Sequence, residues 1–254
     1  MLDKFTDLTM STAYIGKNIL YYPEVTTTMS VARQQAALGA AEGTTVIADI
    51  QTSGRGRLRR TWMSPKGTIS LSIVLYPMLE QLPQIIMVAS LAVVRALASV
   101  ARLKAEIKWP NDVLINGRKV CGILVENSLS GKKVDWTIVG IGINVNLDLS
   151  LISNEATYAT SISAEIGSDL SLSDVVKRVL EDFEYYYEAM KDGEPICVQW
   201  RDLLETLGKE VKVAGSGVIE NGMAESVDSD GRLMLKRADG TLVKIVAGDV
   251  TLRE

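Results

Sequence analysis

Histidine is absent from this chain of 254 residues. That absence removes Ser-His-Asp and Cys-His catalysis, imidazole general bases and most zinc sites. Any chemistry must use lysine, arginine, carboxylates or the ligand's own groups. The two cysteines, Cys121 and Cys197, form no CxxC pair and read as small packed hydrophobes. With only two phenylalanines, the core must be aliphatic, and a 47% hydrophobic composition is ample for it. The Walker ending Gly-Lys-Ser/Thr occurs nowhere, and no Gly-x-Gly-x-x-Gly fingerprint is complete. The first residues carry no apolar run behind a basic start, so no signal peptide is expected. The most apolar stretch, Ile85 to Val94, stops at Arg95 and reads as too short for a bilayer, so a soluble cytoplasmic protein is expected. A net charge of −4 argues against general nucleic-acid binding.

Acidic residues are also missing from Gln51 to Leu79, and there the chain is most distinctive. Gln51-Thr52-Ser53-Gly54-Arg55-Gly56-Arg57-Leu58-Arg59-Arg60-Thr61-Trp62 packs four arginines between positions 55 and 60. Arginine presents a planar fork of donors suited to phosphate and carboxylate. Arg/Gly clusters are common in solvated loops and nucleic-acid tails. This one is pinned between a buried-strand pattern, Thr45–Ile50, and an alternating strand around Ile69, Leu71, Ile73 and Leu75. A basic loop held between core strands, in an acidic protein, favours a small anionic ligand. Arginines and lysines, rather than a backbone nest, would hold any nucleotide phosphates.

The remaining organisation is α+β. A first strand is expected over 16–25, then an Ala-rich helix capped by Thr27 or Thr28 and ended by Gly43. Ile85 to Ala101 reads as a helix apolar on most faces, hence buried. Antiparallel strands follow, with Asn116-Gly117 as a hairpin signal. Ser171 and Asp174 mark the start of an amphipathic helix, and Pro195 opens another that ends at Gly208. Beyond Gly208, short β-like runs separated by Asp230-Gly231 and Asp239-Gly240 read as a small all-β barrel. The expected division is 1–207 and 208–254.

Three further motifs carry chemistry. Lys108-Trp109-Pro110-Asn111-Asp112 places a lysine, an amide and a carboxylate around a turn. Lys119-Val120-Cys121-Gly122-Ile123-Leu124-Val125-Glu126 places a lysine ahead of an apolar strand. Gly140-Ile141-Gly142-Ile143-Asn144 has two glycines inside a strand, where glycine often marks close approach of a ligand or backbone. Each alone has an ordinary structural reading: a hairpin turn, a strand start, a weak strand.

In this order and spacing, together with the arginine loop, they closely resemble the biotin protein ligases through nearly the whole chain. The resemblance implies a mixed, largely antiparallel sheet with packed helices, of the class II synthetase-like type, plus a C-terminal SH3-like barrel. It implies formation of biotinyl-5′-AMP from biotin and ATP with Mg²⁺. Transfer of biotin to a lysine of a biotin carboxyl carrier protein domain then follows. Carried over by motif, Lys119, Arg57 and Asp112 form the catalytic set, with Asp112 also the residue expected at Mg²⁺. Thr27, Thr28, Gln51, Gly54, Arg55 and Gly122 are expected at biotin. Arg55, Arg57, Arg60, Trp62, Lys108, Asn111, Lys119 and Asn144 are expected at ATP, with Trp62 stacking on adenine or covering the biotin tail.

Three positions depart from the family pattern. Arg59 stands where glycine is usual, so either the loop backbone differs there or Arg59 takes positive φ at some cost. Met29 replaces the third polar residue after Thr27-Thr28, and Leu58 replaces a frequent polar residue. About fifteen residues precede the first strand, too few for a helix-turn-helix, so no DNA binding is expected. The family includes dimers formed through sheet edges, so a homodimer is an expectation. The competing readings are a lipoate ligase, distinguished by an apolar tunnel in place of ureido-binding groups, and a biotin-binding protein without catalysis. An RNA-binding Arg/Gly protein is disfavoured by the acidic charge.

Overall fold

A computed structural model describes residues 5, 8–151, 158–215, 218–246 and 248–252. Among them the chain opens with β1 (Ile19–Val25), α1 (Thr28–Ala37), β2 (Thr45–Gln51) and β3 (Thr68–Leu75). Next come α2 (Ile85–Ala101), β4 (Glu106–Lys108), β5 (Asp112–Ile115), β6 (Arg118–Ser130) and β7 (Lys133–Asn144). The helices α3 (Ile162–Ile166), α4 (Leu172–Lys191) and α5 (Ile196–Arg201) then precede β8 (Glu210–Gly215), β9 (Val218–Val227), β10 (Leu233–Lys236), β11 (Leu242–Ile245) and β12 (Asp249–Leu252).

Two sheets result. The larger has seven strands in the order β1-β2-β3-β7-β6-β5-β4, with β1 parallel to β2 and the other pairs antiparallel. The smaller is antiparallel, in the order β11-β10-β9-β8-β12. The parallel pair requires a crossover, and α1 supplies it. The β5–β6 connection is the expected tight turn, with both Asn116 (φ 52°) and Gly117 (φ 74°) left-handed.

Each strand of the large sheet serves two faces. Ile69, Leu71, Ile73 and Leu75 of β3 join the main core with α2 and α4, while Val74 joins a second cluster under α1 with Met29, Ala32, Ala36, Val46 and Ile138. The alternation in β3 predicts one solvated face, but all eight residues are buried. The side bearing Ser70 and Ser72 is covered by α1 and the walls of a cleft. On that face small polar residues are therefore interior.

Three further expectations shift. The first helix ends before Gly39 (φ 80°), not at Gly43, because the Gly39 and Ala40 amides turn back onto Ala36 and Gln35 carbonyls. The last helix ends at Arg201, well before Gly208. The Ile107 amide bonds the Leu203 carbonyl and the Glu205 amide bonds that of Ile107, so this segment lies along β4 instead of continuing to wind. Leu79–Ala101, including its leading 3-10 turns, is long and apolar enough to cross a membrane, so shortness is not what makes it a core element. Its packing is: Met87, Val88, Ala89, Leu91, Ala92 and Val93 of α2 are fully buried against the rest of the core. Ser171 does cap α4, accepting from the Asp174 amide at 3.2 Å.

The two sheets are tied at Trp109. Its indole N–H donates to the Gly231 carbonyl at 2.8 Å and its backbone amide to the Thr206 hydroxyl at 2.9 Å. Trp109→Phe leaves that carbonyl without its buried donor and should cost about 1–3 kcal/mol of unfolding free energy, read from the denaturant midpoint at unchanged slope.

Candidate active site

The arginine loop is closed on itself. The Trp62 amide donates to the Gly54 carbonyl at 2.9 Å and the Gly56 amide to that of Arg60 at 2.8 Å. Gly54 is forced by this closure, since a Cβ there would lie 2.2 Å from the Trp62 carbonyl oxygen. The left-handed residue in the loop is Leu58 (φ 52°), not Arg59. The 3-10 turn at Arg57–Arg59 is broken at Leu58, an exposed side chain that tolerates the geometry at a cost of roughly 1–2 kcal/mol.

Folding carries this loop over the α1 face of the large sheet. There it closes a cleft of about 780 Å³, open mouth included, a size that suits a small organic ligand. One end is lined by Thr27, Thr28, Met29, Gln51 and Ser70, the other by Arg55, Arg57, Arg60, Asn111, Asp112, Lys119 and Asp249. The floor is glycine. Gly122 of β6 and Gly142 of β7 are direct cross-strand partners, and the Trp62 indole lies on both. A Cβ would fall 2.4 Å from the ring at Gly142 and 3.1 Å from it at Gly122. The indole nitrogen is buried without a hydrogen-bond partner.

At the basic end, Arg55, Arg57, Arg60 and Lys119 are each held by a protein oxygen. Lys119 Nζ pairs with Asp112 at 2.7 Å and lies 5.5 Å from the Trp62 ring centre. Asp112 also accepts from the Asn111 amide at 3.1 Å, and Asn111 Oδ1 accepts from Arg57 at 2.9 Å. Arg57 donates in addition to the Gly248 carbonyl at 3.1 Å. Burial pushes the Arg57 guanidinium below its usual range, while Asp112 and Asp249 pull it back up. Arg55 pairs with Glu126 at 2.6 Å and Arg60 with Asp249 at 2.5 Å. Lys119 is fixed by its own backbone, whose amide and carbonyl bond Tyr158 and Thr160.

The structure thus gathers eleven of the fourteen expected residues along one cleft: Thr27, Thr28, Gln51, Arg55, Arg57, Arg60, Trp62, Asn111, Asp112, Lys119 and Gly122. Gly54 lines a more open groove on the other side of the loop. Lys108 sits on β4 opposite Asp112 in register, outside the lining. Asn144 is buried at the end of β7, where it donates to the Thr160 carbonyl at 2.9 Å. Sequence reasoning missed Asp249 and Gly248, which come from the far end of the chain, and it did not single out Glu126 within its motif. Cys121 is inert here: full burial pushes its thiol up.

A cleft with cations at one end, uncharged hydrogen-bonding groups at the other and a flat floor between them defines an α+β protein suited to binding anionic small molecules. Comparisons with known proteins agree. The profile described as the Biotin/lipoate A/B protein ligase family matches residues 21–144, and that of the Biotin protein ligase C terminal domain matches 206–253. The bifunctional ligase/repressor BirA of Bacillus subtilis (strain 168) is 34% identical, over 96% of this chain and 76% of that protein. The biotin--[acetyl-CoA-carboxylase] ligase of Paracoccus denitrificans is 35% identical, over 78% of this chain and 86% of its own. The biotin protein ligase of Aquifex aeolicus in complex with biotin and ATP superposes with a TM-score of 0.79 at 32% identity, covering 93% of this chain and 99% of that one. The chain belongs to the biotin protein ligases.

Gly142→Ala places a methyl group 2.4 Å from the Trp62 ring, which must then move further into the cleft. Loss of small-acid binding by at least about tenfold is expected, with the circular dichroism spectrum unchanged; titration calorimetry reads the first.

Proposed function

We propose that this ATP-dependent biotin protein ligase couples biotin to AMP in the cleft beneath residues 51–62 and then passes biotin to a lysine of a biotin carboxyl carrier protein domain. The observation that carries the reading is the linked set Arg57–Asn111–Asp112–Lys119. It brings two cations from separate elements to one end of the cleft. Thr27, Thr28 and Gln51 occupy the other end.

In the first step, a carboxylate oxygen of biotin attacks the α-phosphorus of ATP and pyrophosphate leaves. Two anions must meet and charge grows on the phosphoryl oxygens, so fixed cations are the main requirement. Arg57 bridges carboxylate and phosphate, and Lys119 holds the α-phosphate as it leaves Asp112. Arg55 and Arg60 turn from Glu126 and Asp249 to the phosphates, with Lys108 reaching them from β4. Asn111 keeps Arg57 in place. Thr27, Thr28 and Gln51 hold the ureido ring, Gly54 lets the loop close beside it, Gly122 keeps the floor free of a side chain, and Trp62 closes over the tail or the adenine. Asn144 meets the adenine edge after releasing Thr160. In the second step, the carrier lysine amine attacks the acyl carbon and AMP departs, with Asp112 positioned to orient that amine.

Mg²⁺ fits as a companion of the triphosphate, with Asp112 as its protein carboxylate. Among the described residues no cluster of three ligating side chains forms a dedicated cage, which accords with an ion held largely by phosphate and water. Bound there, it would offset phosphate charge. The reading further includes a catalytic unit of residues 1–207 and a second unit of 208–254, a cytoplasmic location, no DNA or membrane partner, and a homodimer formed through a sheet edge.

Labelling a carrier domain with biotin against lipoate tests the reading directly, and transfer of lipoate in preference would overturn it. Lys119→Ala should lower biotin-dependent pyrophosphate release by about 10²–10³-fold with the fold intact; release at the native rate removes Lys119 from the first step. Arg57→Gly should loosen retention of the intermediate. Free biotinyl-adenylate should then appear in solution, and leakage no greater than that of the native enzyme contradicts the role.

A further inference from the structure

Lys119 leaves the regular sheet at the point where its side chain enters the cleft. On one side of β6, pairing with β7 begins only at Cys121, opposite Ile143. On the other, the register with β5 steps from Val113–Cys121 to Leu114–Lys119, so Val120 is the extra residue of a bulge. A bulge re-aims the neighbouring side chain and interrupts the ladder. Among the described residues, two bonds hold the Lys119 backbone on its free side. Its amide donates to the Tyr158 carbonyl at 2.6 Å, and its carbonyl accepts from the Thr160 amide at 2.8 Å.

Those bonds are only as firm as residues 158–160, and a buried carboxylate holds that segment in turn. The Glu165 side chain, on α3, is 5% exposed. Its Oε1 accepts from the Thr160 hydroxyl at 2.5 Å and from Arg118 Nη2 at 2.7 Å, while Oε2 accepts from the Asn116 side-chain amide at 2.9 Å. One oxygen thus ties the residue before Lys119 to the residue that bonds its carbonyl. A buried carboxylate is costly unless it is paired and hydrogen-bonded, so all three donors are drawn to one place. The short helix that carries Glu165 is itself anchored. Ser161 caps it by accepting from the Ala164 amide at 3.3 Å, and Ile162 is fully buried. Neither Glu165 nor Thr160 lines the cleft.

We propose that Glu165 is a positioning residue for the adenylation step: its carboxylate clamps Thr160 to Arg118 and so fixes the direction in which Lys119 enters the cleft. This rests on the proposed function, in which Lys119 holds the α-phosphate. The clamp acts on rate and not on binding of the acid, because Thr27, Thr28 and Gln51 lie at the start of α1 and the end of β2, on other elements.

Glu165→Ala tests it by leaving the Thr160 hydroxyl and Arg118 without their shared acceptor. At saturating biotin and ATP, biotin-dependent pyrophosphate release should slow by about 10–100-fold, as displacing a catalytic group by about 1 Å can do. Biotin affinity, read by titration calorimetry, should be unchanged. Glu165→Gln keeps an oxygen for Thr160 and Arg118 and should keep most of the rate. Thr160→Val removes the hydroxyl at nearly constant volume and should reproduce the loss, which serves if Glu165→Ala does not fold. The decisive comparison is in the Lys119→Ala background. A residue that works through Lys119 has nothing left to position there, so Glu165→Ala or Thr160→Val should slow release no further. A loss in that background as large as in the native one overturns the proposal. So does a native rate in these variants, or a fall in biotin affinity that matches the fall in rate. If the unaltered protein releases no pyrophosphate with biotin, the functional reading fails instead.

Discussion

Arg57 sets the terms for the site. It is more enclosed than Arg55 or Arg60, and its direct partners are the neutral oxygens of Asn111 and Gly248. Among the described residues no carboxylate lies within ion-pair distance of it; Asp112 and Asp249 act on it only through space. Taking a cation out of water without a contacting anion costs several kcal/mol. Two neutral acceptors return part of that, and an incoming phosphate or carboxylate returns the rest. Holding the group there requires the loop to be closed, Asn111 to be fixed by the Ile123 carbonyl, and Gly248 to be delivered from the smaller sheet. The architecture of both sheets therefore converges on keeping one charge under-compensated.

The second constraint is space. The face of the large sheet that looks into the cleft carries Ser70, Gly122, Gly140 and Gly142, while the opposite face of the same strands is aliphatic. Because side chains alternate across a strand, one stretch of β3 builds core with Ile69 and Leu71 while opening the cleft with Ser70. Gly140 shows how little room remains: a Cβ there would lie 2.6 Å from the Met29 sulfur. Met29 thus packs into the wall where a polar residue is usual in the family, and its thioether fills irregular space well.

Sequence made the local features legible and left the distant ones hidden. The α2 span, the Asn116-Gly117 turn and the Ser171 cap follow from periodicity and short-range chemistry, and the structure keeps them. The arginine loop and Lys119 could be picked out because charge clusters are visible in one dimension. Asp249 and Gly248 were not legible, since their role depends on how the smaller sheet docks some 190 residues later in the chain. The left-handed residue fell at Leu58 because a three-residue turn fixes which position reverses, and composition at Arg59 does not report that. Capping of α1 by Gln51, whose Oε1 accepts from the Thr28 amide at 2.8 Å, is hidden for the same reason. Thr27 is a good cap by type but its side chain makes no capping bond, and only the β1–β2 register, which sets Gln51 against Val25, brings the glutamine amide to the helix start.

The resting ion pairs decide how readily ligand can enter. A phosphate does not meet bare cations; it replaces one oxygen by another at each. The cost of each exchange follows exposure. Arg60 and Asp249 are 64% and 31% exposed, so their pair holds with about 0–1 kcal/mol and gives way first. Arg55 and Glu126, at 44% and 21%, are intermediate. Lys119 and Asp112 are more enclosed, at 33% and 19%, and their separation leaves a carboxylate in the cleft that needs a new partner. In the proposed reaction a substrate amine or a phosphate-bound cation would supply one, so this pair is the costliest of the three to open.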